Sequence, residues 1–237
     1  MDRCTHQSLE YRFGRIILGR LRTKRVPDAR ALADDLAQRL MEEVPTGAFD
    51  AADPFDAGLI TFGSDVTENA VLELNHQLRS AHLTLKKGVP IRVLLNSFGG
   101  NVFDGLTVVS TMQEIQREGR DVDVHVAGCA MSMGSVILQA GTKRTIDAHG
   151  FLMLHEIGYG VEHTKTSLHA DMLEEVRALQ RATFALYSAR TGKPVEYYLK
   201  KFDRRDWTMT AAEALEERLV DEIIAAPAYR AHRRKSA

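Results

Sequence analysis

From residue 59 onward, short apolar runs alternate with longer segments in which apolar residues recur every three or four positions. IRVLL is a continuous apolar run, as expected of a strand that is buried on both faces, and LITF and VDVHVA are predicted to be further short strands. Between them, apolar residues stand at helical spacing, at Val71, Leu74, Leu78, Ala81 and Leu85 and then at Phe103, Leu106, Val109, Met112 and Ile115. This alternation predicts an α/β fold with a mostly parallel sheet covered by helices.

The first 56 residues have a different pattern. The segment from Tyr11 to Arg25 is basic with a few apolar anchors, and we interpret it as a solvated arm, with a membrane-surface or transit-like segment as the alternative. A helix is predicted after Pro27, and a linker rich in Pro and Gly over 44–58. We therefore divide the chain into an N-terminal extension (1–56), a main domain (57–226) and a basic tail (227–237).

Composition narrows the function classes. The 237 residues carry 31 Lys and Arg against 32 Asp and Glu, a formal charge of −1, so no global field draws the protein to nucleic acid or to an anionic membrane. Cys4 and Cys129 are the two cysteines, too few for a disulfide framework, which is typical of a reducing compartment. We expect a cytoplasmic protein with neither nucleic acid nor membrane as a partner.

The stretch GCAMSMGSVILQAG, residues 128–141, changes abruptly from small to apolar residues around Ser132. The preceding strand brings Ser132 to its carboxyl end, where reactive groups collect in parallel sheets, and the following segment predicts a buried helix. AMSMG is close to the nucleophile elbow G-x-S-x-G, with Ala130 at the first small position. Ser132 is therefore either a nucleophile or a serine that caps a buried helix. Cys129 is a poorer nucleophile, because it would point off the strand before the helix begins.

A second feature follows the strand IRVLL, where the turn NSFGGNVFDG contains Gly99 and Gly100. Paired glycines allow backbone conformations in which N–H groups form a concave anion-binding site. A carbonyl attacked by a serine becomes an oxyanion and needs two such donors. The N–H groups of Gly100 and Met133 are the candidates if the two loops meet; a tight glycine-rich turn is the alternative.

A serine nucleophile also needs a base and an orienting carboxylate. His155 ends the apolar run FLML, so a further strand can bring it beside Ser132, whereas His125 lies inside a strand and is better explained as a packed residue. The sequence HEIGY lacks the second histidine of a zinc-binding H-E-x-x-H motif, so no metal is expected. Asp203 and Asp206 are both candidates for the carboxylate, and spacing does not choose between them.

These segments together resemble the proteolytic subunit of the Clp protease family, a self-compartmentalising serine peptidase, from about Leu59 to Ile224. The resemblance is carried by NSFGGNVFDG, STMQEI, GCAMSMGS, MLHE and RRDWTMTAAEALEERLVDEI. It implies Ser132 as nucleophile, His155 as base, Asp206 as acid, and Gly100 and Met133 as oxyanion donors. The chain departs from the family pattern at Phe98, at Glu156–Ile157 and at Arg218.

The resemblance also implies a crotonase-like spiral of β-β-α units with a protruding handle helix. Thr166 to Gly192 would form the handle, with an apolar stripe of Leu168, Met172, Val176, Leu179 and Leu186. Implied partners are other copies of the chain in heptameric rings stacked to a tetradecamer, peptide substrates and an AAA+ unfoldase; no cofactor is implied. Two alternatives stay open, a catalytically silent ring subunit and a crotonase-type acyl-coenzyme A enzyme.

Overall fold

The computed structural model describes residues 55, 57–160, 165–202 and 205–226. The predicted N-terminal arm, the helix after Pro27, nearly all of the linker, the C-terminal tail and Asp203 lie outside the described residues. The strands are β1 (Leu59–Phe62), β2 (Ile91–Ser97), β3 (Val122–Met131), β4 (Arg144–Asp147), β5 (Phe151–Leu154), β6 (Trp207–Thr210) and β7 (Glu222–Ile224). The helices are α1 (Glu68–Thr84), α2 (Val102–Arg117), α3 (Met133–Gln139), α4 (Thr166–Thr191), α5 (Val195–Lys201) and α6 (Ala211–Glu216).

One mostly parallel sheet organises these elements, as the alternating pattern predicts. Its order is β1-β2-β3-β4-β7, with every neighbouring pair parallel. The ten-residue strand β3 pairs with β4 along its first half and with β5 along its second half, and β5 continues into an antiparallel pair with β6. The end of β3 is thus enclosed by neighbouring strands.

None of the helices in the described segments is long and apolar enough to cross a membrane.

The helical pattern of α1 is confirmed, and that of α2 is confirmed only in part. The four residues of α1 that are buried are Val71, Leu74, Leu78 and Ala81. In α2, Phe103 is 67% exposed, although the pattern places it in the core. The buried face of α2 runs instead through Gly105, Val108, Met112 and Ile115, at spacings of three and four residues. Phe103 lies two positions before Gly105, on the other side of the helix.

Helix α4 is the predicted long helix, and its two halves differ in burial. The C-terminal half buries Thr183, Phe184, Tyr187 and Thr191, and it packs against the aromatic residues of α5. In the N-terminal half, Leu168 is 50% exposed and the other members of the predicted stripe are only half-buried. The helix ends at Gly192, whose positive φ of 76° is typical of a helix terminus. The core anchor of α4 is therefore Phe184 and Tyr187 rather than the predicted stripe.

A buried arginine connects the last strand to the rest of the sheet. The side chain of Arg144 on β4 is 4% exposed and forms an ion pair with Asp221, just before β7. Its guanidinium also donates to Gln139 Oε1 of α3 at 2.6 Å and to the carbonyl of Arg218 at 3.2 Å. Arg218 itself has a positive φ of 61°, a conformation that glycine adopts more easily. Arg144 thus stabilises the strained turn before β7.

We expect Asp221→Asn to destabilise the fold in a pH-dependent way. Burial raises the pKa of Asp221, but the hydrogen bonds and charge of Arg144 outweigh it, so the pKa is lowered in the folded state. A lowered carboxyl pKa contributes stability above the unfolded value near 4, and this stability is lost as the pH falls through the folded value. Urea titration should show a loss of about 2 kcal/mol at pH 7, allowing for the part-exposed carboxylate.

The loss should shrink as the pH drops below about 4, because the wild-type carboxyl is then protonated as well. Glu222→Gln is the matched control. It removes the neighbouring pair with Lys143, in which both side chains are about half exposed, and it should change the stability little. A loss in Asp221→Asn that is the same at pH 3 and pH 7 would contradict the assignment.

Candidate active site

Ser132 lies at the turn between β3 and α3, in a backbone conformation rare for a residue with a side chain. Its φ is 50° and its ψ is −123°, and such positions store strain that the surroundings must offset. The Ser132 N–H donates to the carbonyl of Met153 on β5 at 2.7 Å. The Ser132 side chain makes no capping hydrogen bond to α3. The turn predicted from the sequence is present, and Ser132 occupies the N-cap position of α3 without capping the helix through its side chain.

His155 follows β5 directly, and its imidazole contacts the serine. The distance between His155 Nε2 and Ser132 Oγ is 2.6 Å, a hydrogen bond of the length expected for a nucleophile and its base. The pairing of β5 with β3 produces this contact, because Met153 lies opposite Met131 in the register. The sequence places His155 near Ser132, and the structure brings the two into direct contact.

Asp206 lies beside the other nitrogen of the imidazole without contacting it closely. It immediately precedes β6, which pairs antiparallel with β5 through Leu154 and Trp207. The distance between Asp206 Oδ1 and His155 Nδ1 is 4.0 Å, and the Asp206 side chain is 69% exposed. This distance is longer than a hydrogen bond. The structure therefore brings Asp206 next to the pair formed by Ser132 and His155, but not into hydrogen-bond contact.

The glycine turn after β2 meets the serine turn after β3, as the predicted pair of oxyanion donors requires. A β-carbon at Gly99 would lie 2.5 Å from the β-carbon of Ser132 and 2.9 Å from the Met133 nitrogen. Gly100 and Met133 line the same cleft as Ser132. Met133 is the first residue of α3, so its N–H has no acceptor within the helix.

The cleft beside Ser132 has a volume of about 340 Å³ and mostly apolar walls. Met133 and Val136 of α3 form one wall, and Ile157 lies on another. The third wall comes from α4, through Thr183, Phe184 and Tyr187. Sequence reasoning does not identify these α4 residues as part of the site. The signal that could find them is their spacing of three and four residues with Thr191 on one helix face.

Two other candidates have structural roles. Burial raises the pKa of the Cys129 thiol, and its Sγ lies 3.5 Å from Asn96 Oδ1, so the thiol is protonated and packed against β2. His125 hydrogen-bonds Thr145 Oγ1 at 2.8 Å on the neighbouring strand. In the described part of the chain, His, Cys, Asp and Glu side chains do not cluster in threes that could hold a metal ion.

Comparison with known proteins gives a consistent result. The family model for Clp protease matches residues 51–227. An ATP-dependent Clp protease proteolytic subunit of Porphyromonas gingivalis is 39% identical over 139 residues, which are 58% of this chain and 60% of the relative. Proteolytic subunit 3 of Rhodococcus jostii is 35% identical over 56% of this chain and 65% of the relative. Subunit 2 of Chlamydia pneumoniae is 30% identical over 70% of this chain and 80% of the relative. The chain thus spans less than two thirds of the length of the first two relatives.

The contact between the two turns predicts that Gly99→Ala disables Ser132. The new β-carbon would displace Ser132 and Met133, and a shift of about 1 Å at a reacting group costs about 100-fold in rate. The rate at which a fluorophosphonate probe labels Ser132 should fall by at least that factor. Gly88→Ala is the matched control, because Gly88 also has a positive φ but has open space around its α-carbon. Equal labelling rates in the two variants would show that the turns do not depend on each other.

Proposed function

This chain belongs to the Clp protease family, and from that premise we propose that it is a serine endopeptidase that hydrolyses peptide bonds through Ser132, His155 and Asp206. The crotonase-like α/β fold predicted from the sequence comes with the family. The observation that carries the proposal is the 2.6 Å contact between His155 Nε2 and Ser132 Oγ at a strained turn. A serine in contact with a histidine base at a strained turn is an arrangement suited to nucleophilic attack on a peptide carbonyl.

The proposed reaction begins when Ser132 Oγ attacks the carbonyl carbon of the substrate and His155 Nε2 takes the hydroxyl proton. The new C–O bond displaces the π electrons onto the carbonyl oxygen, and the N–H groups of Gly100 and Met133 donate to that oxyanion. The imidazolium then gives its proton to the leaving nitrogen as the C–N bond breaks. A water molecule, activated by the same histidine, releases the acyl group and restores the serine hydroxyl.

In this proposal Asp206 accepts a hydrogen bond from His155 Nδ1–H, holding the tautomer whose Nε2 is free to act as a base. The support is positional. Asp206 is the described carboxylate that forms an ion-pair contact with His155, and the pairing of β6 with β5 brings it there. The 4.0 Å separation must shorten by about 1 Å to give a hydrogen bond. Catalytic hydrogen bonds are often longer before substrate binds.

The walls of the cleft favour an apolar substrate side chain beside the scissile bond. Val136, Phe184 and Ile157 supply aliphatic and aromatic surface next to Ser132, and burying such a side chain stabilises the complex by about 1.5–3 kcal/mol. Among the described lining residues, Glu156 carries a carboxylate. Because the cleft lacks a Lys or Arg among its described lining residues, the acyl-coenzyme A alternative is disfavoured.

We further propose that the active form is an assembly of several copies, in which α4 supplies the contacts between them. The support is the half-exposed apolar stripe on the N-terminal half of α4, from Leu168 to Leu179. Heptameric rings stacked in pairs would enclose the serines in a chamber. Such a chamber admits short peptides, and longer chains would need an ATP-dependent unfoldase to deliver them. The names of the relatives, which are ATP-dependent Clp protease subunits, support this partner.

The test of the proposed chemistry is Ser132→Ala, measured on a short fluorogenic peptide. We expect turnover to fall by about 10⁴ to 10⁶, because only substrate binding and the oxyanion donors remain. Asp206→Asn should fold normally but lose about 10⁴ in rate, because the histidine tautomer is no longer held. Unchanged peptidase activity in Ser132→Ala would overturn the proposal. It would then favour the silent ring subunit, with the activity arising from a contaminant.

The test of the proposed assembly is light scattering coupled to size exclusion. A single chain has a mass of 26.5 kDa, and fourteen chains have a mass of about 370 kDa. Leu168→Glu should reduce the size, because a charge in an apolar contact is costly. Glu174→Lys changes the charge on the exposed side of the same helix, and it should leave the size unchanged. A fully active wild-type protein that elutes as a monomer would refute the chamber.

A further inference from the structure

The peptide unit between Ser132 and Met133 contains both the Met133 N–H and the Ser132 carbonyl, so the orientations of these two groups are coupled. Its nitrogen is the proposed oxyanion donor of Met133, and its oxygen is the carbonyl of Ser132. A peptide unit is planar and trans, so its C=O and N–H point in opposite directions and turn as one body. Whatever holds the Ser132 carbonyl therefore also sets the direction of the Met133 N–H.

The Ser132 carbonyl accepts two hydrogen bonds from a single residue, Ser135, in the first turn of α3. The Ser135 hydroxyl donates to it at 2.6 Å, and the Ser135 N–H donates to it at 3.0 Å. A backbone N–H in this position is common at the start of a helix, but the short side-chain bond is an additional constraint. The side-chain hydrogen bond stabilises the turn, because the positive φ of Ser132 is strained and neighbouring contacts must offset the strain.

A buried tyrosine fixes the Ser135 hydroxyl in turn. The distance between Tyr187 Oη and Ser135 Oγ is 2.8 Å. A hydroxyl has one proton, and Ser135 gives its proton to the Ser132 carbonyl, so Tyr187 is the donor of this second bond. Ser135 is fully buried, and Tyr187 is 2% exposed. Burial raises the pKa of Tyr187, which keeps its phenol protonated and able to donate.

We propose that Tyr187 and Ser135 are positioning residues that orient the Met133 N–H towards the oxyanion, through a chain of hydrogen bonds that runs from Tyr187 to Ser135 to the Ser132 carbonyl. This inference rests on the proposed serine peptidase function and adds two residues to it. Neither side chain touches the reacting atoms in this scheme. Their effect is on a donor that acts mainly in the transition state, so they influence turnover more than substrate binding.

Hydrogen bonds in such a chain polarise one another, and removal of one partner leaves a buried group unsatisfied. Tyr187→Phe removes only the phenolic oxygen, and Ser135→Ala removes the central hydroxyl. We expect each to lower kcat about 10- to 50-fold with KM unchanged, less than the loss of a whole oxyanion donor. The kcat of the double variant should be no lower than that of the less active single variant, because both substitutions break the same chain of hydrogen bonds.

Tyr198→Phe is the matched control for Tyr187→Phe. Tyr198 is also fully buried, and its hydroxyl lies 2.5 Å from Thr191 Oγ1. Thr191 gives its own proton to the Tyr187 carbonyl, so Tyr198 is again the donor. The two substitutions thus delete equivalent bonds in one aromatic cluster, but only Tyr187 is connected to Ser132. Tyr198→Phe should lose a similar amount of thermal stability and keep the wild-type kcat.

The experiment measures kcat, KM, the melting temperature and the rate of Ser132 labelling by a fluorophosphonate, whose phosphoryl oxygen occupies the oxyanion position. We expect kcat and the labelling rate to fall together in Tyr187→Phe and in Ser135→Ala. Both quantities should stay at the wild-type level in Tyr198→Phe. If Tyr187→Phe does not fold, Ser135→Ala decides the question alone. Three results would overturn the proposed positioning role: equal losses of kcat in the two tyrosine variants, a change in KM alone, or labelling of Tyr187→Phe and Ser135→Ala at the wild-type rate.

Failure of the proposed function gives a different result. In that case wild-type protein itself is not labelled at Ser132, and Ser132→Ala hydrolyses the peptide as fast as wild type. If only the positioning role of Tyr187 and Ser135 is wrong, the wild-type protein is labelled and active, and Tyr187→Phe has the same kcat and labelling rate as the wild type. The two failures are therefore separated by the wild-type sample in the same labelling experiment.

Discussion

The site depends on one backbone constraint, the positive φ of Ser132 at the end of β3. In this conformation the serine hydroxyl contacts His155, and in the proposed mechanism the first N–H of α3 is presented to the substrate. An L-residue pays for it with strain of about 1–3 kcal/mol, so the neighbouring contacts must be numerous. The Ser132 N–H is held by β5, its carbonyl by Ser135, and its β-carbon packs against a position that only glycine can occupy, Gly99.

The sheet explains how those contacts come together. Because β3 is long enough to pair with β4 first and β5 afterwards, its end is enclosed where the chain turns into α3. The same register that seats Met153 opposite Met131 delivers His155 to the serine. The buried Arg144 connects β4, β7 and α3 on the far side of that turn. The strained turn is thus enclosed by secondary structure that is itself held by polar contacts in the core.

Local patterns predict most of the fold and the central pair of the site. Apolar periodicity predicts α1 and the parallel strands. The small residues around Ser132 and the end of β5 make Ser132 and His155 candidates, and the family resemblance assigns them as nucleophile and base. Periodicity fails for Phe103, because the buried face of α2 follows the close approach of Gly105 to Met133, which no local pattern encodes. The role of Tyr187 is equally hidden, since it meets Ser135 across 52 residues of sequence.

The proposed catalytic groups differ in how they are supported. Ser132 and the Met133 N–H are held by buried contacts within one chain, including the anchored half of α4. Asp206 is 69% exposed, and the other half of α4 presents an apolar surface with Leu168 at its start. A nucleophile and an oxyanion donor held by the core do not need a neighbouring copy to be oriented. In the proposed assembly, contacts between copies therefore act on the exposed parts, namely the Asp206 carboxylate that is proposed to orient His155 and the access of substrate to the cleft.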